Sequence, residues 1–517
     1  MPTLGLEMEM AIADRATGRS HAVGPFFRTL QAVKAARGER ADLQEIDGRD
    51  IAVLTPGILS SLDNAFNNLE SSIGPVEAGP GNLAELERRV RGELDAVCAS
   101  LDREGATILN LSEHPNLPVD DAHYRRIRAP KPIYDYWNGT RGWNHAAGID
   151  AKAQNSPSTG VDCADAVRAL NTLLALSPAL IALFANSPFE AGRPTGRKEN
   201  RLTLWPRMFG GSVFPGDRAL HSPPQQPFRD LADHFTWMFG PGTVMQCVPT
   251  GRQTAYKTLR DLYHIDAEPC LLDFLTAPGW SGRCIASGAE STVVPAMHHV
   301  EFLQFAGFLD ARIRFRFRDG AFEVEEFLSA MSRPGGVEAL FAERLDCCYM
   351  EGRAAGANFP DRELADLPDG RVADSVVISP SALQAGLLRN LGEAWRLAAS
   401  IPWEALPALR EAAIRDGLDG EAGEVALKPL CARLVEVAGR GLEAEEQWML
   451  AYPLEVLRSG LTGADRALRD YERLSGTPGE RTLAVAQTRA ILWPPAGNPV
   501  PDRPGERFGT MGAPAFS

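Results

Sequence analysis

Two glutamates near the start of the sequence, Glu7 and Glu9, are the first residues whose type and spacing indicate chemistry. Residues 4–12 (LGLEMEMAI) alternate between apolar and acidic side chains, which predicts a strand with both carboxylates on one face. Magnesium takes oxygen ligands and usually needs carboxylates from several segments of a chain. The pair is therefore either part of a cation site or the solvated face of an outer strand, and further acids would have to join it.

Two further acids, Glu70 and Glu77, lie in residues 59–79 (LSSLDNAFNNLESSIGPVEAG) and bracket a Gly-Pro turn. An amphipathic helix is predicted after them, at about residues 82–104. Taken alone, the two carboxylates could be a loop acid and a strand acid with no common task. Convergence with Glu7 and Glu9 would instead gather enough carboxylates to bind a hard cation.

A third group of polar residues lies in residues 344–353 (RLDCCYMEGR), which are predicted to form a strand. Alternation places Tyr349, Glu351 and Arg353 on one face of that strand. An aromatic ring, an acid and a base on one face form a small cluster of polar side chains. Tyr349 could equally be part of the buried framework.

The run at residues 185–205 (ANSPFEAGRPTGRKENRLTLW) could deliver a cation to these acids. It follows a predicted apolar helix that Asp162 caps and Pro178 kinks, and it presents Arg201 four residues before Trp205. A helix followed by a loop that delivers a cation is a common way to hold an anionic ligand. The Gly/Pro-rich residues 206–227 are predicted to form a loop.

Residues 311–326 (ARIRFRFRDGAFEVEE) have the pattern of a β-hairpin, with an Asp-Gly turn between two strands. Four arginines at alternate positions would share one face of the first strand: Arg312, Arg314, Arg316 and Arg318. Such a row could grip phosphate groups. The alternative, which the pattern favours, is that Glu323 and Glu325 on the second strand pair with these arginines.

Residues 134–150 (YDYWNGTRGWNHAAGID) form an aromatic, Gly-containing stretch that predicts irregular structure and a ligand-facing loop. His145 is the lone histidine in it. We interpret it as a hydrogen-bonded loop residue rather than a metal ligand, because no second His or Cys lies at ligand spacing.

Composition narrows the class of protein. The 517 residues carry a net charge of -14, so there is no basic surplus to neutralise nucleic-acid phosphates. The eight cysteines include no C-x-x-C pair, which indicates reduced thiols without a zinc site or disulfide framework. The longest apolar run is interrupted by polar residues, and the start lacks a signal-peptide pattern, so we expect a cytoplasmic protein with no membrane partner.

The length allows one large domain or two ordinary ones, and a Pro/Gly-rich C-terminal tail is predicted at residues 494–517. No internal repeat is evident. The 44% hydrophobic fraction is ample for a large buried core.

Several motifs taken together resemble the glutamate-cysteine ligases, most closely the plant and proteobacterial type. They are GLEMEM at the start, the acids Glu70 and Glu77, the ALSPALIALFANSPF segment, the loop to Arg201 and Trp205, the YMEGR strand, and EEQWMLAYPLEVLRSGLTGADRALRDY near the end. The resemblance runs from Gly5 to about Tyr471. The ANSPF run and PLEVLRSGLTGADRAL are fairly specific, whereas G-x-E-x-E alone would be weak.

The resemblance implies an α+β fold like that of glutamine synthetase, with a curved, mainly antiparallel sheet and flanking helices. It implies a single catalytic domain at residues 1–493 and an enzyme that uses ATP and Mg²⁺ to form a γ-glutamyl amide from glutamate and cysteine or a related amine, as in glutathione biosynthesis, through an acyl phosphate. Its substrates would be small molecules, and the protein would be a monomer or homodimer.

The resemblance also implies roles for particular residues. The metal-binding carboxylates would be Glu7, Glu9, Glu70, Glu77 and Glu351. Arg201 and Arg353 would bind phosphate or the substrate carboxylate. Gln154 would contact metal or nucleotide, and Tyr349 would support the same face.

The sequence also departs from its relatives. Pro206 and Arg207 follow Trp205 where relatives carry acidic residues, and SSIGPV replaces a P-G-G turn between the paired acids. Two alternatives therefore stay open: a related carboxylate-amine ligase of a specialised pathway with a different acid or amine, and a non-catalytic binding paralogue. A carboxylate kinase that stops at the acyl phosphate is a further alternative.

Overall fold

The computed structural model describes residues 3–77, 79, 81–253, 258–320 and 322–495. The strands are β1 (Thr3–Asp14), β2 (Asp42–Ile46), β3 (Arg49–Thr55), β4 (Ile58–Leu62), β5 (Asn68–Glu77), β6 (Ala106–Ile108), β7 (Asn155–Gly160), β8 (Phe189–Glu190), β9 (Arg193–Pro194), β10 (Val248–Pro249), β11 (Leu262–Ile265), β12 (Trp280–Cys284), β13 (Glu290–Val293), β14 (Ala311–Phe317), β15 (Leu345–Gly352), β16 (Glu421–Ala422) and β17 (Val425–Ala426). The α-helices are α1 (Phe26–Ala36), α2 (Asn82–Asp102), α3 (Asp121–Ile127), α4 (Pro132–Gly139), α5 (Ala166–Phe184), α6 (Leu204–Phe209), α7 (Leu231–Phe239), α8 (Leu271–Phe274), α9 (Met297–Leu303), α10 (Val324–Met331), α11 (Gly336–Arg344), α12 (Arg362–Ala365), α13 (Arg371–Ser375), α14 (Ser379–Arg389), α15 (Leu391–Ala398), α16 (Leu406–Asp416), α17 (Leu427–Arg440), α18 (Ala451–Ser459), α19 (Gly463–Arg473) and α20 (Pro478–Thr488).

A nine-stranded sheet is the framework of the fold. Its order is β14-β15-β7-β1-β5-β4-β3-β2, and β6 pairs with β1 outside this path. Neighbouring strands in it run antiparallel. A second sheet, with the order β10-β11-β12-β13, lies in the segment between α7 and α9. The predicted α+β class with a mainly antiparallel sheet and flanking helices is confirmed.

Strand β1 lies inside this sheet, because β5 pairs with it from Thr3 to Ala11 on one side and β7 pairs with it from Leu4 to Met8 on the other. Leu6, Met8 and Met10 are buried, whereas Glu7 and Glu9 alternate with them and are only half-buried. The predicted alternation is confirmed, so both carboxylates do lie on one face of the strand. That face is not an outer solvated surface.

Helix α5 is the apolar helix predicted from the sequence, and nearly all of its residues are buried. The helical stretch Cys163–Phe184 is long and apolar enough to cross a membrane, but 94% of its most apolar window is buried inside the protein. It packs against β14, β15, α16 and α17. Such burial is typical of the core helix of a soluble protein. The side chain of Asp162 makes no capping hydrogen bond, so that prediction was wrong.

The predicted hairpin at residues 311–326 is wrong in its second half. Strand β14 forms as expected, but helix α10 follows it instead of a strand. The Glu326 carboxylate accepts a 3.1 Å hydrogen bond from the backbone N–H of Glu323, and the side chains of Val324, Phe327 and Ala330 are buried at helical spacing. The partner of β14 is therefore β15, and Glu323 and Glu325 do not pair with its arginines.

The predicted loop at residues 206–227 contains helical structure. Helix α6 includes Pro206 in its first turn, where the missing N–H breaks no helical hydrogen bond. A 3₁₀-helix follows at Pro215–Ala219. The tail predicted at residues 494–517 lies outside the described residues except for residues 494 and 495, and the single domain at residues 1–493 stays a prediction.

Candidate active site

One pocket gathers acids, cations and aromatic rings from β1, β5, β14, α4 and α6, and from the segments that follow β4, α4, α9 and β15 or precede α6. Its lining residues are Glu7, Glu9, Asp63, Asn64, Glu70, Tyr134, Trp137, Trp143, His145, Ile149, Lys152, Gln154, Arg201, Leu204, Trp205, Met208, Phe305, Phe308, Arg312 and Arg353. Most of the residues singled out from the sequence therefore converge, although they are far apart along the chain.

Three carboxylates form the acid cluster of this pocket: Glu9, Asp63 and Glu70. Glu9 lies directly opposite Glu70 in the pairing of β1 with β5, and Asp63 lies in the turn between β4 and β5. Each offers an oxygen atom within 4.8 Å of those of the other two. The backbone carbonyl of Asp63 accepts hydrogen bonds from Lys131 Nζ (2.7 Å) and the Tyr134 hydroxyl (2.7 Å), which hold the turn in place.

Crowding of these carboxylates has an electrostatic consequence. Burial and the neighbouring charges of Asp63, Glu7 and Glu70 raise the pKa of Glu9 well above its usual range, although Arg353 opposes them. A cation among the three carboxylates would remove this repulsion. Carboxylate oxygens are also the donors that Mg²⁺ prefers, so the residues of the acid cluster fit a magnesium ion.

The predicted metal-binding acids do not all join the acid cluster. Glu7 lines the same pocket, and its charge contributes to the raised pKa of Glu9. Glu77 is exposed and pairs with Thr3 at the other end of β5. Glu77 lies seven positions after Glu70 along the strand, or about 23 Å away. The geometry therefore gives no support to a shared metal role for Glu77.

Asp63 was not singled out from the sequence. What could have indicated Asp63 is its position in the hairpin of β4 and β5. Leu62 pairs with Leu69, and this register brings Asp63, the first residue of the turn, close to Glu70. The 59–79 segment would have revealed it only if β4 and β5 had been paired correctly. A turn residue carries no alternation pattern of its own, which is why the acid was missed.

Glu351 occupies a different environment from the acid cluster. Its carboxylate pairs with Arg312 (2.7 Å) and Arg353 (3.1 Å), and Arg314 lies 3.9 Å away. Burial alone would raise the pKa of Glu351, but these three arginines lower it to about 2. In the structure this acid holds arginines, and its metal role stays a prediction.

Arg353 links this ion-pair group to the acid cluster. Its guanidinium lines the pocket, and it lies close enough to Glu7 and Glu9 that both help to raise its pKa against burial. Arg312 is directly opposite Glu351 and also lines the pocket. Tyr349 is half-buried, pairs with Gly160 of β7 and is not among the lining residues.

Arg201 reaches the pocket from a 3₁₀-helix, Asn200–Thr203, in the segment between α5 and α6. Its Nε donates to Glu199 (2.7 Å), and its two terminal nitrogens donate to the Gln154 side-chain oxygen (3.0 Å) and the Ala354 carbonyl (3.2 Å). The Gln154 backbone N–H donates to the Glu9 carboxylate (3.0 Å). Arg201 and Gln154 therefore connect this segment to the acid cluster, and the Gln154 side-chain oxygen already accepts a hydrogen bond.

Lys152 is a further cation of the pocket, and no sequence motif indicated it. Its ammonium lies 2.8 Å from Glu113 and 3.5 Å from Glu190, and burial raises the pKa of Glu113 to about 7. Arg207, one of the departures noted above, pairs with Glu190 at 2.7 Å. Arg207 therefore supports the surroundings of Lys152 and is not itself a lining residue.

His145 lies in a short 3₁₀-helix at the aromatic side of the pocket. Its Nδ1 is 3.2 Å from the Tyr124 hydroxyl, and burial lowers the pKa of the ring to about 3. The imidazole is therefore neutral near pH 7, as a buried, hydrogen-bonded framework residue would be.

A buried ion pair fixes the tryptophan segment of the pocket and leads to a prediction about stability. Asp217 accepts hydrogen bonds from Arg141 Nε (3.0 Å), Trp143 Nε1 (2.6 Å) and the Ser212 hydroxyl (2.7 Å), and Arg141 is completely buried. We expect Asp217→Asn to lower the free energy of unfolding by about 3–5 kcal/mol, because it leaves the buried Arg141 charge without an opposing charge. Urea denaturation followed by circular dichroism measures this.

The control for that experiment is Asp319→Asn, because the side chain of Asp319 is 99% exposed and also pairs with an arginine, Arg252. An exposed pair contributes little, so we expect a change below about 1 kcal/mol. Equal effects of the two substitutions would contradict the role assigned to Asp217.

Comparisons with known proteins support the resemblance noted from the motifs. Residues 3–217 match the sequence model of glutamate-cysteine ligase family 2. A Gloeobacter violaceus protein described as a candidate glutamate–cysteine ligase 2 is 22% identical over 209 residues, which are 40% of this chain and 48% of that relative. The match thus spans about half the length of that curated relative. The predicted resemblance to the glutamate-cysteine ligases is confirmed for this part of the chain.

A crystal structure of glutamate–cysteine ligase from Francisella tularensis in complex with AMP aligns over 94% of this chain and 87% of that chain, with 12% identity and a TM-score of 0.47. The match to the family model covers only part of the residues that line the pocket. It includes the acid cluster, Gln154 and Arg201, whereas Arg312 and Arg353 lie beyond its end.

Proposed function

We propose that the protein is an ATP- and Mg²⁺-dependent ligase that joins the side-chain carboxylate of glutamate, or of a close analogue, to an amine. The observation that carries the proposal is the meeting of the acid cluster with the guanidinium groups of Arg201, Arg312 and Arg353 in one pocket. The family match over residues 3–217 supports the same class of reaction.

Phosphoryl transfer needs this combination of charges, because the transferring group is anionic and its charge must be neutralised. Magnesium held by Glu9, Asp63 and Glu70 would neutralise phosphate oxygens of ATP when it is bound. Arg353 would bind the transferred phosphoryl group, since its guanidinium is oriented by Glu351 and lies beside the acid cluster. Arg201 and Lys152 would bind the remaining phosphates or the α-carboxylate of the acid substrate.

The proposed reaction has two steps. A carboxylate oxygen of the acid substrate attacks the γ-phosphorus of ATP, ADP leaves, and an acyl phosphate forms. The amine then attacks the acyl carbon, and inorganic phosphate leaves with the former carboxylate oxygen. The buried rings of Trp137, Trp143 and Phe305 would exclude water from one side of the pocket and so protect the acyl phosphate from hydrolysis.

A product screen tests this proposal. The purified protein is incubated with ATP, Mg²⁺, glutamate and a panel of amines that includes cysteine, and the mixture is analysed by mass spectrometry. We expect one amide product that requires ATP, Mg²⁺ and an amine together, with one phosphate released per amide. A reaction without glutamate, and one in which EDTA replaces Mg²⁺, are the controls.

Each alternative gives a different outcome of the same screen. Phosphate release without any amide would support a carboxylate kinase, and neither product would support a binding paralogue. Either outcome would contradict the proposed ligase. An amide formed with an amine other than cysteine would assign the protein to a different pathway from glutathione synthesis and leave the reaction class intact.

A further inference from the structure

Two aromatic rings of the pocket, those of Trp205 and Phe308, retain an exposed part of their surface. Their centroids lie 5.2 Å apart, and their planes meet at 53°, so the two rings form a wedge, and the buried Phe209 packs against both of them. The neighbouring rings of Trp137, Trp143 and Phe305 are only 7%, 1% and 2% exposed. The wedge is therefore the accessible part of an otherwise filled aromatic wall.

The rings behind the wedge hold it in position. The Phe308 ring packs edge-on against Trp143 at 5.7 Å, and Trp143 stacks on Trp137 at 5.0 Å. Trp143 is fixed in turn by its hydrogen bond to Asp217. A surface held in this way loses little conformational freedom when a ligand binds, which favours affinity.

A charge lies over both rings of the wedge. The Arg353 guanidinium is 5.8 Å from the centroid of Trp205 and 5.9 Å from that of Phe308. Aromatic pairs are stabilised by stacked and edge-to-face contacts beyond the area they bury, and a cation near the ring faces adds to this. An aliphatic group would gain only from burial, so the wedge favours a planar aromatic group.

We propose that the Trp205–Phe308 wedge binds a planar aromatic ring of a ligand. Two ligands of the proposed reaction could carry such a ring: the purine of ATP, or a ring on the amine substrate. The assignment of the ring to one of these ligands rests on the proposed function. The existence of a ring-binding wedge does not depend on turnover.

Calorimetric titration without ATP turnover tests the wedge with two pairs of probes. Adenosine is compared with ribose, and tryptamine is compared with ethylamine, so that each pair differs by the ring. We expect Trp205→Ala and Phe308→Ala to weaken the binding of one ring-bearing probe by about tenfold. Its ring-free counterpart should be unaffected. The probe that loses affinity identifies the source of the ring.

The matched control is Trp403→Ala, because Trp403 is also half-buried but lies outside the pocket, where its Nε1 donates to the Pro224 carbonyl. Trp205→Phe retains a ring and should keep most of the affinity. Phe308→Leu retains apolar volume without a ring, so it replaces the alanine variant if circular dichroism shows that variant to be unfolded.

The proposal is overturned if the wild-type protein binds neither ring-bearing probe more tightly than its ring-free counterpart. It is also overturned if Trp205→Ala and Phe308→Leu bind both ring-bearing probes as the wild type does. Ring binding that is retained in a protein that forms no amide would overturn the proposed ligase function and leave the wedge intact, so the two failures are distinguishable.

Discussion

Asp63→Asn is expected to lower the rate of amide formation by at least about 100-fold, because it removes one of the three charges that would hold magnesium beside the phosphates of ATP. The turn that contains Asp63 should stay folded, because Lys131 and Tyr134 donate hydrogen bonds to its backbone carbonyl, which the substitution does not change. The measurement is kcat with saturating ATP over a series of Mg²⁺ concentrations. A shift of the curve to higher Mg²⁺ should accompany the loss.

Two further variants on strand β5 make this experiment specific. Glu70→Gln should behave like Asp63→Asn, because both residues belong to the acid cluster. Glu77→Gln should have a much smaller effect, since Glu77 is exposed at the far end of the strand. Exposed Asp319→Asn is the control for an acid outside the pocket. Full activity of Asp63→Asn, or equal losses at Glu70 and Glu77, would contradict the metal site.

Glu351→Gln is expected to reduce both activity and stability. The substitution leaves Arg312, Arg314 and Arg353 without the buried carboxylate that they share, which should cost about 3–5 kcal/mol in the free energy of unfolding. Arg353 would also lose its orientation, so kcat should fall by at least about 100-fold. Urea denaturation at pH 7 and steady-state kinetics measure the two effects separately.

The pH dependence of stability distinguishes the loss of this ion-pair group from a general destabilisation of the fold by the substitution. The pKa of Glu351 in the folded protein is about 2, below the value of about 4.3 for an unperturbed glutamate. Its contribution to stability is therefore present above pH 4.3 and is lost as the pH falls towards 2. Glu351→Gln should lack this contribution, so the difference in stability between the variant and the wild type should shrink across that range. A difference that does not change with pH would contradict the assignment.

Strands whose side chains alternate could be predicted from the sequence. The alternation in β1 correctly placed Glu7 and Glu9 on one face. The alternation in β15 pointed to Glu351 and Arg353, which pair at 3.1 Å, although Arg353 lies just beyond the end of the strand. Arg201 was also located, because a long apolar helix and a Gly/Pro-rich loop lead to it. These features depend on local periodicity, which is visible in a single sequence.

Features that depend on pairing between distant segments could not be predicted. The partner of β14 is β15, roughly 30 residues later, and the local Asp-Gly signal pointed to a nearer partner that forms a helix. The register of β5 decides that Glu70 joins the acid cluster and Glu77 does not. Lys152 is held in the pocket by Glu113 and Glu190, which lie far from it in the sequence and share no motif with it.

Transfer of oxygen from the acid substrate to phosphate tests the central claim most directly. Glutamate labelled with ¹⁸O in its side-chain carboxylate is incubated with the enzyme, ATP, Mg²⁺ and the amine found in the screen, and the released phosphate is analysed by mass spectrometry. Formation of an acyl phosphate predicts one ¹⁸O atom in the phosphate for each amide formed. Amide formation with unlabelled phosphate would contradict the proposed mechanism.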